Sequence, residues 1–152
     1  MWRSPSRNIV LSFDDVIRII AEHNLHSIHI GTDSHLKKGT KGYHVFATVI
    51  CLYLQGRGAF YYFAKETPKR KFPNLADRIM EVASRSLVLA QKIASAFPSR
   101  KIVMHSDTNT DVRYPTTKFT GTIRNWATSL GIEFVAKPDA WAAMSVADQH
   151  AK

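Results

Sequence analysis

Acidic residues are the scarce charge in this chain, 12 Asp and Glu against 21 Lys and Arg. Four of them sit where a fold can aim them at one point. Asp33 closes the apolar run IHIGTDSH, and Asp107 follows the short apolar run KIVMH. Glu81 lies within RIMEVASR and Asp148 within VADQHAK. Carboxylates that converge repel one another and persist where cations neutralise them, and hard oxygen donors select Mg2+ or Mn2+. Two such ions about 4 Å apart clamp the attacking and leaving oxygens of a phosphodiester. The chemistry in question is metal-dependent hydrolysis with water as nucleophile.

The elements that must position these acids follow from periodicity. Ser12 caps a helix over 12–24, with Asp14 and Asp15 at its positive end and Val16, Ile19 and Ile20 at helical spacing. Ile28–His35 reads as the first strand, and LKKGTKG as a basic hairpin turn. Tyr43–Leu54 and Ala59–Thr67 are β-branched and aromatic runs joined by a Gly-rich turn, so three strands form an antiparallel meander. After the basic loop TPKRKFPN, a long helix runs from Asn74 or Leu75 to Phe97, stopped by Pro98. Lys101–His105 is a short strand, Thr116–Leu130 a helix closed by Gly131, Ile132–Ala136 a strand, and Met144–Lys152 a final helix. The order α-βββ-α-β-α-β-α predicts one five-stranded mixed sheet with flanking helices. If the first and fourth strands are parallel neighbours, Asp33 and Asp107 emerge side by side, and Glu81 reaches them from the helix above.

Here the sequence resembles the ribonuclease H-like superfamily. GTDSHLKKGTKGYHVFATVI resembles its first hairpin, RIMEVASRSLVLA its Arg-x-(apolar)-Glu helix, IVMHSDTNTDV its fourth-strand Asp and KPDAWAAMSVADQHAK its ending. Within it, the IGTDS start, the HSD centre and the KPDAWAAMSVAD ending are similar to the bacterial YkuK-like proteins. The resemblance covers residues 26–152, with the 12–24 helix as an addition to a single domain over 1–152. It implies metal-ligand roles for Asp33, Glu81, Asp107 and Asp148, holding two Mg2+ or Mn2+ ions with Asp33 between them. Two departures stand out. The extra basic helix that some ribonucleases H use to grip hybrids is missing, and no histidine lies between Gly131 and Asp148.

Other residues leave alternatives open. Asp111 is a further ligand or organises its loop with Asn109 and Thr110. Asp139 caps the last helix or binds metal. Asp77, at i,i+4 from Glu81, competes for its role or pairs with an arginine. His35, His105 and His150 each lie two positions from a proposed ligand, as polar packing or as contacts to the site. No HExxH spacing supports a dedicated zinc site, and no GxxxxGK[ST] or GxGxxG supports nucleotide binding by those routes.

The formal charge of +9 and pI near 9.9 favour a polyanionic partner, nucleic acid before membrane. Lys37, Lys38 and Lys41 in the first turn, with Lys69, Arg70 and Lys71 before the long helix, are candidate phosphate contacts, or else solvated loops. The single cysteine, Cys51, excludes an intrachain disulfide and is expected to be buried and inert. With no apolar signal segment or membrane-length run, the expectation is a soluble, cytoplasmic protein. The reading is a metal-dependent nuclease acting on RNA, DNA or hybrid. Its rivals are a non-catalytic nucleic-acid-binding module, whose binding would not depend on Asp33, and a metal-dependent phosphoesterase for a small substrate.

Overall fold

The chain's structure is a computed structural model that describes residues 1–111 and 113–152; Val112, in the loop after Asp107, lies outside the described residues. A mixed sheet of seven strands forms its centre, in the order β2-β1-β5-β4-β3-β6-β7. The meander is β3 (Ser27–Leu36), β4 (His44–Leu54) and β5 (Gly58–Glu66), all antiparallel. On its other side β3 pairs in parallel with β6 (Ile102–His105), and β6 with β7 (Glu133–Val135). The five expected strands are therefore present in the expected order. Two more, β1 (Trp2–Arg3) and β2 (Val10–Leu11), extend the sheet beyond β5. Each is two residues long, too short for an alternating pattern to mark it in the sequence.

Local signals account for the helices. Ser12 and Asp15 form a reciprocal capping box at the start of α1 (Phe13–Glu22). Asn74 caps α2 (Leu75–Ala96) by accepting from the Asp77 amide, so Asp77 belongs to the helix start. The third helix, α3, spans Thr117–Ser129. The final helix begins earlier than Met144: a π-helical turn over Ala142–Ala147 runs directly into α4 (Asp148–Ala151). Trp141 precedes that turn and makes no side-chain cap, which corrects the expectation that Asp139 caps it. The Trp141 amide donates instead to the Asp139 main-chain oxygen at 3.0 Å.

Strand alternation divides the core between the two faces of the sheet. Ile28 and Ile30 of β3, with Ile50 and Leu52 of β4, pack with Val16, Ile20, Leu87, Ile93 and Ile123 from α1, α2 and α3. The opposite face is thinner, formed by Val49 and Cys51 with Ala142, Ala147 and Trp141. Cys51 is buried, and burial pushes its thiol up to about 12, as an inert thiol requires. Close approach on this face depends on Gly31. A Cβ there would lie 2.6 Å from the Ala143 nitrogen and 2.7 Å from the Ala142 carbonyl carbon. Only a residue without a side chain lets the π-helical turn rest on β3.

Candidate metal centre

The register of β3 against β6 pairs Gly31 with His105. Two residues further along each chain stand Asp33 and Asp107, so the parallel pairing sets the two acids side by side. Asp33 shares a sheet face with Gly31 and His35, the face on which the π-helical turn and α4 lie. That helix brings Asp148 across 113 residues of sequence to His35, whose Nε2 lies 2.8 Å from Asp148 Oδ1 and 3.4 Å from Asp33 Oδ2. Asp33, His35 and Asp148 each offer a ligand atom, all within 4.8 Å of one another. Asp107 lies with Asp33 on the wall of one small cavity.

The electrostatics of the cluster are uneven. Burial pushes the Asp33 carboxyl up to about 7 against the Ser34 amide that donates to it, and the nearby Asp107 and Asp148 carboxylates act in the same upward direction. Burial also acts upward on Asp148, but hydrogen bonds with Lys152, His35 and Asp33 overcome it and hold that carboxyl at about 2. Two lysines complete the balance, Lys152 at 2.9 Å from Asp148 and Lys137 at 2.8 Å from Asp107. Two of the acids thus already have cationic side chains beside them. Lys152 was legible as the i,i+4 neighbour of Asp148. Lys137 was not, because only the turn after β7 swings it back to Asp107.

Glu81 is not brought to this cluster. It lies 3.1 Å from Arg85 Nε and 3.5 Å from Arg70, and Arg85 also donates to Glu66 of β5 at 2.8 Å. The α2 side chains that reach the cavity beside Asp33 are Leu75, Arg78, Ile79 and Val82. Position 81 falls off that stripe at helical spacing. Where the resemblance implied an acid, the helix presents Arg78. Asp111 is held by Arg113 in the following loop, and that pairing lowers its carboxyl.

His105 and His150 bond groups other than the acids. The Ala142 amide donates to His105 Nδ1 at 3.2 Å, so His105 carries its proton on Nε2 and donates it to His29 Nδ1 at 2.8 Å. Burial holds His105 down at about 3, aided by His29. His150 stacks on Phe63 with ring centroids 3.8 Å apart and bonds the Tyr61 hydroxyl.

The two basic loops are joined. Phe72 donates its amide to the Gly42 carbonyl at 3.3 Å, and Lys71 lies over the Tyr43 ring. Lys37, Lys38, Lys41, Lys69, Arg70 and Lys71 are all exposed on the two segments so connected. No helix among the described residues is long and apolar enough to cross a membrane.

A family model described as Ribonuclease H-like matches residues 12–152. No curated protein matches the sequence.

Proposed function

Since the chain belongs to the ribonuclease H-like family, we propose that it is a divalent-metal-dependent nuclease whose metal is held by Asp33, Asp148 and Asp107. The observation that carries this reading is the meeting of Asp33, His35 and Asp148 within 4.8 Å, from elements at opposite ends of the chain. The donor set suits a hard cation. It is mostly carboxylate oxygen, and Asp107 Oδ1 is buried with a lysine nearby but no hydrogen bond of good geometry. His35 widens the preference from Mg2+ toward Mn2+, which accepts imidazole more readily.

When bound, the metal supplies charge for the phosphoryl oxygens and lowers the pKa of the attacking water. The chain's own groups do the rest. Asp33, Asp148 and Asp107 would hold the cation in place of the lysines that pair with the last two, and His35 lies within reach of both Asp33 and Asp148. The ridge formed by Lys37, Lys38, Lys41, Lys69, Arg70 and Lys71 holds the phosphate backbone, a contact that weakens steeply with salt. Glu81 acts indirectly in this reading, fixing Arg70 and Arg85 beside that ridge.

Labelled RNA, DNA and RNA–DNA hybrid, each with Mg2+, Mn2+ or EDTA, provide the test. Metal-dependent cleavage should be lost in Asp33→Asn and Asp148→Asn, with binding retained. One observation favours the non-catalytic module instead: Lys137 and Lys152 pair with Asp107 and Asp148 without any metal. Binding without cleavage, indifferent to both substitutions, would establish that rival.

A further inference from the structure

Arg78 has no acidic partner within 4.0 Å among the described residues, although Asp33 and Asp107 line the same cavity. Its side-chain hydrogen bond among the described residues is to His44 Nε2 at 3.4 Å, and burial together with the Arg78 charge lowers the pKa of that imidazole. A half-buried guanidinium that faces carboxylates without touching them leaves room for a group between. The cavity is about 220 Å3, below the roughly 300–1,000 Å3 of pockets for drug-sized ligands. Its remaining polar wall includes Ser34, Thr108 and Lys137. Hydroxyls and two cations beside acids that a metal would neutralise suit a tetrahedral oxyanion.

We propose that this cavity is the seat of a phosphate of the bound strand, anchored by Arg78 of α2, with Lys137 turning to it once a metal holds Asp107. The inference rests on the nuclease reading for its metal but not for its anion. The position of the seat supports a strand over a small phosphoester. His44 bonds Arg78 and follows Tyr43, whose ring lies under Lys71, so the basic ridge leads directly to the cavity. A backbone laid along the ridge reaches Arg78 next and the acids after it.

The test is an amide NMR titration of the whole chain in Mg2+ with three probes: inorganic phosphate, a nucleoside 5′-monophosphate and a single-stranded tetranucleotide. The expected result is that all three shift Ser34 and Thr108, the tetranucleotide binding at least tenfold tighter and with salt dependence. Arg78→Gln should weaken every probe at least tenfold, and Arg78→Lys should restore part of the loss. Mg2+ affinity, followed separately, should be unchanged in both variants, and their amide dispersion reports folding. Equal phosphate affinity in Arg78→Gln, or shifts confined to other surfaces, overturns the seat. Tetranucleotide affinity no better than that of free phosphate overturns the assignment to a strand. Phosphate binding that survives where no metal binds overturns the nuclease reading and leaves the seat standing.

Discussion

Replacing Gly31 by alanine tests whether the sheet and the candidate metal centre are one mechanical unit. The backbone at Gly31 is not left-handed, so alanine itself is compatible with the strand. In open space the change would stabilise by about 0.4–1 kcal/mol through the unfolded chain. The space is not open. The new Cβ would stand 2.6 Å from the Ala143 nitrogen, 2.7 Å from the Ala142 carbon and 3.0 Å from the Ala142 oxygen, all main-chain atoms that cannot rotate away. Reaching an ordinary contact of 3.4 Å from 2.6 Å moves the π-helical turn outward by about 0.8 Å. Such overpacking costs typically 1–3 kcal/mol. Carried to Asp148, the same displacement would stretch its 2.8 Å bond from His35 to about 3.6 Å, beyond hydrogen-bond range. Set against the backbone gain, the expected net loss is up to about 2.6 kcal/mol, or up to roughly 10 °C in Tm for a domain of this size. Urea unfolding followed by circular dichroism measures the loss, and a Mn2+ titration of the folded variant should show weaker binding. Gly121→Ala is the matched control. It lies exposed inside α3 with nothing within 4 Å of a new Cβ, so it should stabilise by about 0.8–1 kcal/mol. If Gly31→Ala proves as stable as Gly121→Ala, the close packing of the last helix on β3 is refuted.

Three further outcomes follow from the same structure. His105 is neutral in the fold with its pKa held down at about 3, whereas the unfolded chain protonates near 6.5. Its contribution is fully present above 6.5 and is lost as pH falls toward 3, at roughly 1.4 kcal/mol per pH unit. Urea midpoints at pH 7, 5.5 and 4.5 should show that slope in the wild type and less of it in His105→Gln; a pH-independent gap between them would contradict it. Asp33 is the opposite case, raised to about 7 from 3.8, so its stability is complete below 3.8 and is lost as pH rises through 7. Asp33→Asn should therefore raise the thermal midpoint of the metal-free protein, by a margin that grows between pH 4 and pH 7, while weakening Mn2+ binding. Arg100 donates to the Ile20, His23 and His26 carbonyls at 3.0, 2.9 and 2.8 Å, tying the end of α1 to the start of β3. Arg100→Ala should cost about 2–4 kcal/mol in denaturant unfolding, since three part-buried carbonyls lose a charged donor.

The sequence by itself determined the order of the five main strands, the helices between them and the tips that carry Asp33 and Asp107. These are local properties. A period of two or 3.6, a Ser12 or Asn74 cap, and a glycine at a turn act within a few residues. Side-by-side acids followed as soon as the first and fourth strands were taken as parallel neighbours, and the register of Gly31 with His105 realises that pairing. Tertiary structure alone decided what surrounds the acids. Helical spacing placed Glu81 on α2 but could not fix the helix's rotation, which depends on which stripe packs on the sheet; the packing turned Arg78 toward the cavity and Glu81 toward Arg85. Lys137 was equally hidden, and so was the bond from His35, itself legible beside Asp33, to Asp148, because a pair across a turn or across 113 residues leaves no mark on local composition. Gly31 joins the two levels. Its residue type was plain in the sequence, but its reason, main chain of residues 142 and 143 lying where a Cβ would be, exists only once the last helix has docked.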